Sequence, residues 1–82
     1  MAERSGKAGR SLESEKVALF VQAASRFTSK ISLKRDNKTA NAKSIMGLIS
    51  LGVVEDENIS LIAEGDDAEA AVTELAAFLN LR

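Results

Sequence analysis

The run Asn41-Ala-Lys-Ser-Ile-Met-Gly-Leu-Ile-Ser-Leu-Gly52 contains a helix with both of its ends marked. Ser44 stands where a hydroxyl can accept one of the free N–H groups of a first helical turn. Ile45, Leu48 and Ile49 then recur at i, i+3 and i+4, and with Gly52 they share one side. Gly52 can stop the helix by taking positive φ. The spacing predicts a helix over Ser44–Leu51. Ile45, Leu48 and Leu51 are expected in the core. Met46 lies off the main stripe, and both Met46 and Ile49 divide between core packing and contact with a partner. So short a helix is not stable alone, so its neighbours in the chain decide what it packs on.

Upstream, Asp36-Asn37-Lys38 reads as a tight turn, because Asp and Asn tolerate left-handed backbone and bond it locally. It joins Lys30–Arg35, where Ile31 and Leu33 alternate with polar residues, to a short strand at Thr39–Ala42. Before this hairpin, Val17, Phe20, Val21, Ala24 and Phe27 form one apolar stripe, which predicts a helix over Ser14–Phe27. Ser11 or Ser14 is its expected cap, and Glu13 and Glu15 place negative charge at its start. Residues 1–11 (MAERSGKAGRS) lack apolar alternation and read as loose or as a poor edge strand.

Downstream, Glu55-Asp56-Glu57-Asn58 is an acidic loop, and Ile59–Ala63 is a strand apolar enough for a central place in a sheet. Gly65-Asp66-Asp67 is a turn with an N-cap aspartate, and a last helix over Ala68–Leu79 buries Ala68, Ala71, Val72, Leu75 and Leu79. The order (β)-α-β-β-α-β-α predicts an α+β two-layer sandwich with the helices on one side of a small antiparallel sheet.

Composition narrows the chemistry. The chain has 82 residues, enough for one thin core. It has no cysteine and no histidine, which leaves no disulfide, no thiolate and no ordinary zinc site. No cofactor is expected. No segment approaches the length of an apolar membrane span, and a cytoplasmic location is the expectation. The net charge of −1 hides a segregation: ten Lys/Arg and four Asp/Glu in residues 1–43, one Arg and eight acids in 44–82. The simplest reading folds the two ends together with their charges solvating opposite faces; the alternative is a basic surface for an acidic partner. Three Phe and no Tyr or Trp argue against single-stranded nucleic acid as a direct ligand.

Three segments together carry a resemblance. Ala18-Leu-Phe-Val-Gln-Ala-Ala-Ser-Arg-Phe-Thr-Ser29, Asp36 through Gly52 with its Lys43-Ser-Ile-Met-Gly47 core, and Ala63-Glu-Gly-Asp-Asp-Ala-Glu-Ala-Ala71 resemble corresponding parts of HPr, the phosphocarrier of the bacterial sugar phosphotransferase system. The resemblance covers about residues 17–79. It implies an HPr-like open-faced β-sandwich, a four-stranded antiparallel sheet with three helices on one face, and a single domain over 1–82 in which 1–13 are loose or rearranged. It also implies that Ser44 is phosphorylated by an HPr kinase/phosphorylase, and that Lys43, Ile45, Met46, Gly47, Ile49 and Phe20 contact partners. Those partners would be the kinase, enzymes of the sugar phosphotransferase system and a CcpA-type repressor.

The resemblance fails where the family carries its phosphoryl group. Counting back from Ala18 without gaps, Glu13 stands where the family has its histidine, Glu15 where it has an arginine, and Lys16 where it has a proline. A carboxylate cannot serve as a stable N-phosphoryl carrier, and loss of the arginine removes a bidentate phosphate clamp. A histidine-lacking subfamily, the catabolite-repression type, keeps the serine and has glutamine at that place. The resemblance therefore implies a regulatory, serine-phosphorylated corepressor in carbon catabolite repression, without histidine phosphotransfer and without enzymatic activity. The alternatives are an unphosphorylated HPr-fold module docking sugar-system or metabolic enzymes, and a degenerate phosphocarrier. A weak first strand would leave a sheet edge open, which predicts a monomer–dimer equilibrium by pairing or strand exchange.

Overall fold

The computed structural model describes residues 1–82. Its elements are β1 (Ala2–Lys7), α1 (Glu15–Ser25), β2 (Lys30–Arg35), β3 (Lys38–Asn41), α2 (Ile45–Leu51), β4 (Asn58–Glu64) and α3 (Ala68–Phe78). The four strands form one antiparallel sheet in the order β1-β4-β2-β3. The period-2 pattern sends Ile31 and Leu33 of β2, Ile59, Leu61 and Ala63 of β4, and Ala40 of β3 to the same face, where all are buried. The three helices cover that face with Val17, Phe20 and Ala24 of α1, Leu48 and Leu51 of α2, and Ala71, Val72 and Leu75 of α3. Phe20 meets Phe78 edge to face, with ring centroids 5.4 Å apart. The opposite face is polar; Ser5 and Ser60, paired across β1 and β4, share a hydrogen bond of 2.9 Å.

The amino terminus is an edge strand and not a loose segment. β1 pairs with β4 along its whole length, from Ala2 opposite Ala63 to Lys7 opposite Asn58. Its core-facing positions are Ala2, Arg4 and Gly6, so it contributes little apolar surface. Arg4 compensates by lying over α3, donating to Thr73 Oγ1 at 3.3 Å with Glu69 3.8 Å away. At the end of β1 the chain terminus adds a rung: Lys7 N donates to Arg82 O at 2.8 Å, and Arg82 N to Lys7 O at 2.9 Å. A Cβ on Gly6 would sit 2.6 Å from Arg82 O, so that rung requires glycine there. Residues 8–12 are tied down in turn. Ala8 N donates to Glu57 O at 2.9 Å, Leu12 N to Val53 O at 3.0 Å, and both Ala8 and Leu12 are buried.

Three expected caps resolve differently. Ser11 Oγ accepts from Glu55 N at 3.1 Å, in a neighbouring loop and not in α1. Ser14 occupies the N-cap position of α1 but makes no side-chain cap; its backbone sits at φ 53°, ψ −131°, a region that disfavours any residue with a Cβ. Asp67 precedes α3 without capping it. Its carboxylate instead accepts from Thr28 N at 2.9 Å, Ser29 N at 3.0 Å and the Ser29 hydroxyl, joining the α1–β2 loop to the start of α3. Those bonds, the Ser29 hydroxyl foremost, hold the Asp67 carboxyl down at a pKa of about 2.

The charge segregation also resolves differently from two separately solvated faces. Arg26 pairs with Glu74, Arg35 with Glu57 and Arg4 with Glu69, each joining the basic half of the chain to the acidic half.

Candidate functional site: the α2 surface

α2 begins where β3 ends, and the turn between them is built by Asn41. Its side-chain Oδ1 accepts from Lys43 N at 2.8 Å, and its carbonyl accepts from Ser44 N at 3.0 Å. That places Ser44 at the N-cap in extended conformation, φ −116° and ψ 115°. Ser44 Oγ accepts from Gly47 N at 3.1 Å, the expected capping bond. Glycine at position 52 supplies the left-handed stop, φ 67°, and its N–H returns to Leu48 O at 3.1 Å. Arg35 then fastens the far end of the helix. Nη1 donates to Gly52 O at 2.7 Å, while Nε lies 3.3 Å from Glu57 Oε2. That Nε meets no strict hydrogen-bond geometry. At 3.3 Å from a carboxylate it is nonetheless electrostatically satisfied.

The helix is thus held at both ends, and its seven residues divide into two faces. Leu48 and Leu51 are buried. Ile45 is 46 % exposed, Met46 75 % and Ile49 57 %. At i, i+1 and i+4 these three form a continuous apolar surface around the first turn, beside the Ser44 hydroxyl. Ile45, expected in the core, is therefore on the outside. The reason is that so short a helix lying across the sheet reaches the core only with Leu48 and Leu51. Ser44 itself is half-buried, with its oxygen at the helix start, where the exposed N–H groups and the helix dipole favour negative charge.

The other expected contact residues separate. Phe20 is fully buried against Phe78 and is a core residue, not a partner surface. Its chain neighbour Leu19 is the exposed apolar residue of α1, at 52 %. The signal for Leu19 was its place off the stripe that runs through Val17, Phe20 and Ala24. Lys43 does not offer its ammonium to the Ser44 side chain: Nζ donates to Phe27 O at 2.7 Å, at the carboxyl end of α1. Phe27 lies just past the Arg26 C-cap of α1, so the ammonium sits near the negative end of that helix's dipole. Gly47 lies on the inner side of the first turn, toward Ala40, and its N–H is the donor that orients Ser44 Oγ. Glu13, Glu15 and Lys16 are exposed at the entry to α1, and the Glu13 carbonyl accepts from Lys16 N at 3.1 Å. No three His, Cys, Asp or Glu side chains converge as metal ligands would.

Comparison with known proteins matches this arrangement. The family model described as the PTS HPr component phosphorylation site matches residues 8–80. The HPr-like protein Crh of Bacillus subtilis is 50 % identical over 68 residues, which cover 83 % of this chain and 80 % of that protein. The phosphocarrier protein HPr of Buchnera aphidicola is 41 % identical over the same length, covering 80 % of its chain. Among solved structures, HPr-C-His from Thermoanaerobacter tengcongensis superposes with a TM-score of 0.90 at 44 % identity, over 98 % of this chain and 92 % of its own. The crystal structure of Bacillus subtilis Crh superposes with a TM-score of 0.79 at 49 % identity, over 90 % and 83 %. With the sheet order, the three helices on one face and a family match spanning most of its length, this chain belongs to the HPr family.

Proposed function

We propose that this chain is a regulatory member of the HPr family: a protein phosphorylated on Ser44 by an HPr kinase/phosphorylase, which then serves as corepressor for a CcpA-type repressor in carbon catabolite repression. The observation that carries this reading is Ser44 at the start of α2, flanked by exposed Ile45, Met46 and Ile49, in a chain without histidine. A phosphate on Ser44 Oγ would lie at the positive end of α2, where it adds charge without entering the core. The absence of histidine removes the imidazole of an N-phosphoryl carrier, and Glu13 at the matching place cannot replace it. The similarity to Crh, an HPr-like protein, supports the same direction. In this role the chain is a substrate and binding partner, not a catalyst, and it works in the cytoplasm with its kinase.

The test is incubation of the protein with HPr kinase/phosphorylase, ATP and Mg²⁺, followed by intact-mass measurement. The expected result is the addition of one phosphate that disappears in Ser44→Ala. No added phosphate, or one that survives Ser44→Ala, refutes the assignment. The docking-module alternative separates on the same proteins: there, Met46→Asp abolishes capture of sugar-system enzymes while Ser44→Ala does not.

A monomer–dimer equilibrium is the second part of the proposal. Its support is the thin apolar contribution of β1, together with the description of Bacillus subtilis Crh as a swapped dimer and of a Thermoanaerobacter tengcongensis HPr as a dimer. Sedimentation that stays monomeric at high protein concentration counts against it.

A further inference from the structure

Ser50 and Leu51 of α2 and the outer edge of β3 have no part in the phosphorylation chemistry, yet they line one groove. In the β2–β3 ladder Ala42 N donates to Ile31 O at 2.9 Å, which makes Ile31 and Ala42 a hydrogen-bonded pair. By the alternation of an antiparallel ladder, Leu33–Ala40 and Arg35–Lys38 are bonded pairs too. Thr39 and Asn41 therefore turn their backbone groups away from β2. The Asn41 carbonyl is taken by Ser44 N. The Thr39 N–H, Thr39 C=O and Asn41 N–H are left on a free sheet edge.

Beside that edge runs a groove of about 300 Å³ between β3 and α2, lined by Lys38, Thr39, Gly47, Ser50 and Leu51. Two of the helix residues facing it, Gly47 and Ser50, are small. Glycine inside a helix costs roughly 1 kcal/mol of helix propensity. A Cβ at position 47 would point toward Ser44 Oγ, at 3.3 Å, and Ala40 Cβ, at 3.6 Å, into the contact between α2 and β3. The walls are cationic: Lys38 is exposed and enters none of the ion pairs, and residues 37–54, which span β3 and α2, carry no acid.

We propose that this groove binds an extended acidic segment of a partner protein, which adds as a strand to the free edge of β3 under α2. Strand addition satisfies the outward groups of Thr39 and Asn41 with main-chain hydrogen bonds, and acidic side chains answer Lys38. A second copy of this chain is a poorer occupant. The segment it would offer, β1, carries Arg4 and Lys7 against Glu3 and so brings net positive charge to a cationic edge.

The experiment is a ¹⁵N-NMR titration of the unphosphorylated full chain with a short synthetic peptide alternating glutamate and valine. The expected result is shifts and slowed amide exchange at Thr39 and Asn41, without change at Met46 and Ile49, and with affinity falling as salt is raised. Lys38→Glu, an exposed change that leaves the core intact, should weaken binding about fivefold. Thr39→Pro removes one outward donor without touching the ladder to β2, and should abolish it. The proposal is overturned by silence at Thr39 and Asn41, by equal binding of a lysine–valine peptide, or by shifts centred on Met46. It is also overturned if raising the protein concentration alone protects Thr39 and Asn41, because a second copy then occupies the edge.

Discussion

Replacing Met46 with aspartate should leave the fold untouched while destroying the docking surface proposed for α2. Met46 is 75 % exposed, so only a small part of its side chain is in contact with the domain. Exposed substitutions of this kind change stability by about 0.5 kcal/mol or less. The position also favours an acid: α2 has none in its first turn, and a carboxylate there gains roughly 0.3–1 kcal/mol from the dipole. Met46→Asp is therefore expected to be neutral or slightly stabilising. Docking behaves oppositely. Fully burying a methionine side chain is worth about 1.5–3 kcal/mol, and the exposed part of this one leaves about 1–2 kcal/mol for a partner to gain. Losing that lowers affinity roughly 5- to 30-fold, and desolvating the new carboxylate lowers it further. Urea unfolding should show an unchanged midpoint. Calorimetric titration of Ser44-phosphorylated protein with a CcpA-type repressor should show the loss. A drop of more than about 1 kcal/mol in stability, or an affinity within about twofold of the parent, would show the division of α2 into faces to be wrong.

The core assignment of Phe20 makes the complementary prediction: Phe20→Ala should cost about 3–5 kcal/mol in urea unfolding, a large share of the total for a domain this small, and a loss below about 1 kcal/mol would return Phe20 to the surface. The strained backbone of Ser14 predicts that Ser14→Gly raises stability by about 1 kcal/mol, since only the Cβ makes φ 53°, ψ −131° unfavourable; a lowered melting temperature contradicts this. Asp67 sets an acid limb. Its carboxyl titrates at about 2 in the fold against an ordinary 3.8 once the chain unfolds, so its contribution is full above about pH 4 and disappears as pH falls through about 2. Asp67→Asn should remove that part of the slope, and unfolding midpoints with the same pH dependence as the parent would exclude the Thr28–Ser29 latch as its cause.

The parts of the molecule legible in the chain are those governed by neighbours three or four residues apart. The α2 helix, its Ser44 cap and its Gly52 stop obey local rules, and so does the Asp36–Asn37 turn. Asp36 takes φ 54° there. The central place of β4 followed from its unbroken apolar character. β1 was readable only as a loose segment or a poor edge strand because its inward positions, Ala2, Arg4 and Gly6, carry no hydrophobic alternation; β4 and Arg82 impose the strand through backbone bonds. Asp67 looked like a helix cap because local sequence offers α3, whereas the folded chain offers Thr28 and Ser29. Ile45 looked buried because helical periodicity says which residues share a side, not which side meets the sheet.

Residue order alone is enough for the α+β class, for a serine at a helix start and for the exclusion of histidine chemistry, because composition and i-to-i+4 spacing are properties of the chain before it folds. Which apolar residues remain outside, Ile45, Met46 and Ile49 but not Phe20, depends on contacts between elements far apart in sequence. The same is true of the Lys43 ammonium, which goes to Phe27 O, and of the β3 edge that remains unpaired. Those contacts exist only once β1, β4, β2 and β3 have assembled and the three helices have settled on one face.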